Sequence, residues 1–270
     1  MGTHSTQVNQ GFTIIETMLV LAVTGLMIAG LLVGLGSSIS NQRYLDSVSS
    51  FKSLLQDQYS QIDNVTNDRD NNWSCGVSAT PVESQNGGIA PGQSDCVLLG
   101  RYVGVVGDKI TMATVVGYPN TAATSTATIA SVRDNYTLGI STSSIEQTSL
   151  EWGARIAWPK ESDAEQVLSS ARSLAVLMIR SPEDGTTYTF TSDTVNEIDS
   201  VSAATLKSMI VADLKATNPG QGPRTVCIDP DGFSVPENLA LYIGAGASGS
   251  SSIEVRSRAL LETPSGGTKC

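Results

Sequence analysis

The chain has 270 residues, with 26 acidic against 16 basic side chains and a formal net charge of −10. Such a surface repels nucleic-acid phosphates and no basic stripe offsets it, so direct nucleic-acid binding is not expected. The single histidine, His4, lies before the first apolar run, which leaves the body without the commonest general base and metal ligand.

Residues 1–10 are polar and have no apolar core, and they read as a leader. Gly11-Phe-Thr-Ile-Ile-Glu16 follows, and from Thr17 to Gln42 there are 26 residues without one Asp, Glu, Lys or Arg. That exceeds the roughly 20 residues a helix needs to cross a bilayer. A secretory signal places its apolar segment before the cleavage site. Here the one sensible junction, Gly11-Phe12, precedes that segment, so cleavage there would leave the membrane helix on the mature chain. Glu16 stands at the start of the apolar run, where a carboxylate at membrane depth costs about 2.5–3.5 kcal/mol and needs a partner or a purpose.

The glycine, aromatic and glutamate at this spacing, followed by an apolar helix, resemble the processing motif of type IV pilins and type II secretion pseudopilins. The resemblance covers about the first 30 residues and implies cleavage by a prepilin peptidase between Gly11 and Phe12, then N-methylation of Phe12. It further implies that Glu16 pairs with the Phe12 amine of a neighbouring subunit during assembly. Other pilin or pseudopilin subunits and an inner-membrane assembly platform are then the expected partners. The expected location is the cytoplasmic membrane before assembly and a cell-surface filament after it. In a helix the two charges are four residues apart and share a face. The other reading of Glu16 is a carboxylate suited to the helix dipole at the first turn of an ordinary anchor.

Two features depart from the family pattern. The leader lacks Lys or Arg, while Arg43 and Lys52 lie beyond the apolar run, so the positive-inside rule does not help orient it. In place of a helix proline the run carries Gly25, Gly30, Gly34 and Gly36. Gly30 and Gly34 form a small-xxx-small face that permits close helix approach.

Tyr44, Val48, Phe51, Leu55, Tyr59 and Ile62 recur every three or four residues, with Arg43, Asp46, Lys52 and Asp57 among them. This is one apolar stripe on a polar helix and predicts that a helix from Phe12 to about Ile62 continues into a globular body. It should end in the turn formers of Asn64–Asn72, whose oxygens lack the spacing of a dedicated Ca²⁺ loop.

Residues 73–95 read as loop. Cys96–Val106 and Lys109–Val116 read as a hairpin about Gly107-Asp108, and residues 118–150 are weakly patterned, with Thr121–Ser131 as loop or edge. Leu150–Trp158 reads as a strand with Trp152 and Trp158 as packing anchors. Ser173–Ile179 and Thr186–Phe190 form a second hairpin, and Val201–Ala216 has helical spacing. Thr225–Ile228, Leu239–Ile243 and Ile253–Leu261 read as closing strands. The turn Asp229-Pro-Asp-Gly232 is a strong turn sequence, and Asp229 and Asp231 make only a weak metal candidate beside it.

The fold class expected is α+β: a long N-terminal helix packed on a mostly antiparallel β-sheet head. The organisation is a leader over 1–11, an assembly or membrane helix over 12–40, an amphipathic continuation over 41–63 and a head over 64–270. Cys75, Cys96, Cys227 and Cys270 allow three disulfide pairings, of which the sequential one is simplest; four buried thiols are the alternative. No Walker-type glycine loop, HExxH, CxxC or GxSxG occurs. A pair of carboxylates working by proximity is the enzymatic arrangement left. A non-enzymatic structural subunit without a cofactor is the expectation, and a surface-binding protein with a permanent, unpolymerised membrane anchor is the competing one.

Overall fold

The computed structural model describes residues 13–64, 72–84, 87, 89–90, 92–120, 128–158, 171–210, 223–232, 235–244, 248–257 and 270. Its axis is helix α1, Ile14–Asp63, 50 residues without interruption, about 75 Å long at about 1.5 Å per residue. Thr13 caps its N-terminus and Asn64 its C-terminus, where the Asn64 N–H donates to the Ser60 carbonyl. Tyr44, Val48, Phe51, Leu55, Tyr59 and Ile62 are all buried, as the stripe predicts, and Ser47 and Gln58 are buried with them.

A six-stranded antiparallel sheet lies against this stripe. Its strands are β3 (Val97–Val106), β4 (Lys109–Pro119), β5 (Tyr136–Ile140), β6 (Glu146–Ser149), β8 (Ser173–Arg180) and β9 (Thr187–Ser192). Their order is β5-β4-β3-β8-β9, with β6 also paired to β4. Side chains alternate between faces along a strand, and in β8 the alternation divides two cores. Leu174, Val176 and Met178 meet α1, whereas Ala175, Leu177 and Ile179 point to the opposite face. That opposite face is closed by α2 (Thr128–Asn135) and α3 (Ala203–Met209), through Ile129, Val132, Leu206 and Met209. Burial on both faces explains why β8 reads as a continuous apolar run.

A second sheet takes the order β12-β11-β10-β7. It comprises β7 (Arg155–Ala157), β10 (Arg224–Asp229), β11 (Ala240–Ile243) and β12 (Ile253–Arg256). Ile156, Val226, Ile228, Leu241, Ile243 and Ile253 extend the core around α1. A two-stranded piece, β1 (Trp73–Cys75) with β2 (Pro81–Glu83), completes the described strands. The α+β class and the antiparallel head are as expected.

Several local expectations are corrected. The stretch 73–95, read as loop, contains the β1–β2 pair. The weakly patterned 118–150 contains α2, β5 and β6; β6 is exposed at all four residues, which removes the apolar alternation a sequence reading needs. In Leu150–Trp158 only β7 is strand, after a tight helical turn at Glu151–Gly153. Neither tryptophan there is a core anchor: Trp152 is 49% and Trp158 38% exposed. Arginines cover them instead, Arg43 at 4.8 Å from the Trp152 ring centroid and Arg172 at 4.3 Å from that of Trp158. The predicted helix 201–216 is described as α3, and its remainder from residue 211 lies outside the described residues, as does Leu261.

Candidate functional site

The site singled out by sequence is the start of α1. Gly11 and Phe12 lie outside the described residues. Thr13 is the N-cap, and its Oγ1 accepts the Glu16 N–H at 3.3 Å. Thr13-x-x-Glu16 has capping-box spacing, a signal present in the sequence but overshadowed by the glutamate. The cap uses the Glu16 amide. The Glu16 carboxylate is exposed and makes no hydrogen bond or ion pair among the described residues. The next charge along α1 is Arg43, 27 residues on and about 40 Å away at about 1.5 Å per residue, so no cation of the helix itself can answer it.

Between these charges the helix is bare. Residues 14–39 are exposed throughout, with Ile14 and Leu26 at 77% and 78%. Among the described residues α1 is the one helix long and apolar enough to span a membrane. Three of its hydroxyls turn inward to their own backbone: Thr17 donates to the Ile14 carbonyl at 2.8 Å, Thr24 to Val20 at 2.8 Å and Ser40 to Gly36 at 3.0 Å. These bonds satisfy the three hydroxyls within the helix itself. Gly25, Gly30, Gly34 and Gly36 leave the helix uninterrupted, and a Cβ at any of them would meet nothing within 4 Å.

The other half of α1 is fastened to both sheets. The Tyr44 hydroxyl donates to the Ile228 carbonyl at 2.8 Å and accepts the Leu239 N–H at 2.6 Å. Gln58 Oε1 accepts from Arg101 Nε on β3 at 2.8 Å, and the hydroxyls of Tyr59 and Thr189 lie 2.7 Å apart. Gln56 reaches the Ser250 carbonyl at 2.9 Å. At the point where α1 leaves the head, Ser50 donates to Glu151 at 3.2 Å and Arg43 lies over Trp152. No sequence signal reveals that last pair.

Asp229 and Asp231 do come together, but around an arginine. Arg155 is 2.9 Å from Asp229 Oδ2 and 3.6 Å from Asp231 Oδ1. Asp229 Oδ1 also accepts the Asp231 N–H at 3.1 Å. The pair is a turn locked by a cation, and no group of three or more metal-binding side chains occurs among the described residues. The oxygens of Asn64–Asn72 lie mostly outside the described residues.

The cysteines pair sequentially, Cys75 with Cys96 and Cys227 with Cys270. A cleft of about 210 Å³ opens beside the first disulfide, lined by Arg101, Thr114, Ser141, Ser144 and Glu146 among others. Its buried cation, Arg101, is held by Gln58, Thr114 and Glu146.

No family model, curated protein or solved structure matches the chain. The arrangement itself offers a bare apolar rod built into a disulfide-bonded head, with a carboxylate at its tip that no described residue answers.

Proposed function

We propose that the chain is a structural subunit of a type IV pilus or type II secretion-like filament, a minor pilin or pseudopilin, assembled through α1 after cleavage between Gly11 and Phe12. The observation that carries this reading is the continuity of α1. One helix presents an apolar half whose tip carries the Glu16 carboxylate, unpaired among the described residues, and buries its other half in the head core. A simple anchor needs no rigid connection to its cargo and is commonly joined by a flexible linker. A subunit placed by its helix needs that connection, since the position of the head is then set by the packing of the rods. The Phe12 amine exposed by cleavage supplies the charge that Glu16 lacks, within a chain or between neighbours. Gly30 and Gly34 supply the close approach. The role requires no catalysis and no cofactor.

The test is the mass of the mature N-terminus, with filament incorporation of Glu16→Ala beside it. A chain that begins at methylated Phe12, and a variant that is processed but excluded from filaments, are the expected results. An intact N-terminus overturns the reading and leaves a permanently anchored surface protein. Normal incorporation of the variant removes the pairing role of Glu16.

A further inference from the structure

The base of the head carries a tryptophan that packing does not explain. Trp152 is 49% exposed and sits at φ 59°, ψ 22°, a left-handed conformation that bulky residues rarely adopt. The turn that holds it is fixed on both sides. Glu151 accepts from Ser50 on α1, and the Ala154 N–H closes the turn on the Glu151 carbonyl at 3.2 Å.

The indole lies not at Ser50 but over the Arg43 guanidinium, 4.8 Å from its ring centroid. Ser50 and Arg43 are seven residues apart, about 10 Å along the axis, so the ring extends from its attachment toward the apolar half of α1. Arg43 is the first charge after that half. The charge-free run of 26 residues spans about 39 Å, against about 40–45 Å for a bilayer with its headgroup regions. Arg43 and Trp152 therefore fall at the depth where tryptophans concentrate at membrane surfaces, the indole body in the acyl boundary and its N–H toward water.

We propose that Trp152, stacked on Arg43, is an interfacial anchor that seats the base of the head in the lipid headgroup layer. Arg43 faces the lipid phosphates and the indole lies beside it. The anchor sets the depth and tilt of the head before α1 is used in assembly. The proposal rests on the reading that the apolar half of α1 lies in a bilayer.

The experiment uses the full chain in phosphatidylcholine vesicles, with Trp73→Phe and Trp158→Phe leaving Trp152 as the one indole of the three the chain has. Trp152 should emit to the blue of water-exposed tryptophan. A quencher placed on the lipid near the headgroup should reduce its emission more strongly than one placed deep in the acyl chain, and aqueous acrylamide should reach it poorly. A vesicle-bound chain whose Trp152 is quenched by acrylamide and not by lipid overturns the anchor while leaving the membrane span intact. A chain that does not float with the vesicles overturns the span, and the anchor with it. Trp152→Phe alone, in the otherwise natural chain, reads the same question without the double substitution: it should abolish the lipid-quenched part of the emission, and its persistence overturns the proposal.

Discussion

The phenol of Tyr44 joins two strands' ends to the helix at once, accepting the Leu239 N–H at 2.6 Å and donating to the Ile228 carbonyl at 2.8 Å. Tyr44 is 2% exposed, so water cannot replace it. Tyr44→Phe keeps the ring and strands both backbone groups, which should cost about 1–3 kcal/mol. Chemical denaturation of the full chain in detergent micelles checks this. A midpoint equal to that of the parent would show that the bridge is dispensable.

The same residue makes the fold sensitive to alkali. Burial pushes the Tyr44 hydroxyl up from its ordinary 10.0 to about 12, with Asp229 and Glu237 adding to the rise and the Leu239 amide opposing it. Tyr59 is raised in the same direction, again by burial. A phenol with a raised folded pKa holds its proton after the unfolded chain has released it. Its contribution is complete below pH 10, and stability falls as pH rises from there toward 12. Tyr44→Phe should therefore show a shallower decline over that window. Parallel curves for parent and variant would contradict this origin.

The sequence exposed the spine of this molecule because the spine is periodic: all six stripe residues from Tyr44 to Ile62 are buried. Both hairpins are legible in β3–β4 and β8–β9: β3, β4 and β8 by their apolar residues, and β9 by the turn formers of Ser181–Gly185 followed by Thr/aromatic alternation. What escaped depends on partners distant in sequence. Gln58 and Arg101 are polar and look exposed in a row of letters, yet are 2% and 5% exposed, each made tolerable by the other 43 positions away. Trp152 and Trp158 erred in the opposite direction, since size and apolarity suggest a core while arginines cover them at the surface. At the candidate site, the carboxylate, the apolar run and the capping-box spacing of Thr13 and Glu16 are readable in the sequence, whereas the Arg43–Trp152 stack requires the fold.

Close approach between β3 and β8 predicts one glycine that cannot be changed. The register of β3 against β4 shifts between Leu98 and Gly100, and a Cβ on Gly100 would collide with the Met178 carbonyl oxygen. That obstacle is backbone and cannot rotate away. Gly100→Ala should destabilise the head by about 1–3 kcal/mol, the usual range for overpacking. Gly34→Ala meets nothing within 4 Å and should leave head stability unchanged. Equal unfolding midpoints for the two variants would refute the assigned clash.

Arg101 allows two kinds of polar contact to be compared at one guanidinium. Its Nη2 meets Glu146 at 3.1 Å, but the Glu146 side chain is 54% exposed. Glu146→Gln should therefore change stability by at most about 1 kcal/mol. Arg101→Met removes the donor to Gln58 Oε1 and leaves that amide oxygen buried without a partner, a loss of about 1–3 kcal/mol. Adding salt should matter little to the second variant, since the stranded group is uncharged. Comparable losses for the two substitutions would mean that the ion pair, not the buried amide contact, dominates.

The two disulfides should differ in both accessibility and consequence. Cys227 and Cys270 are 0% and 4% exposed on the outer face of the second sheet, whereas Cys75 and Cys96 are half-buried beside the open cleft. Graded reduction of the folded chain, followed by alkylation and mass spectrometry, should open Cys75–Cys96 first. Removal should rank the other way. The bonded residues are 21 and 43 apart, so loop-entropy estimates give about 3 kcal/mol for the first bond and about 4 kcal/mol for the second. Burial adds to the difference, because serines at 227 and 270 would bring hydroxyls into an apolar site. Double alanine variants isolate the loop effect from that polarity. Simultaneous reduction of both bonds would contradict the difference in accessibility, and a larger penalty for losing Cys75–Cys96 would contradict the ranking by loop length.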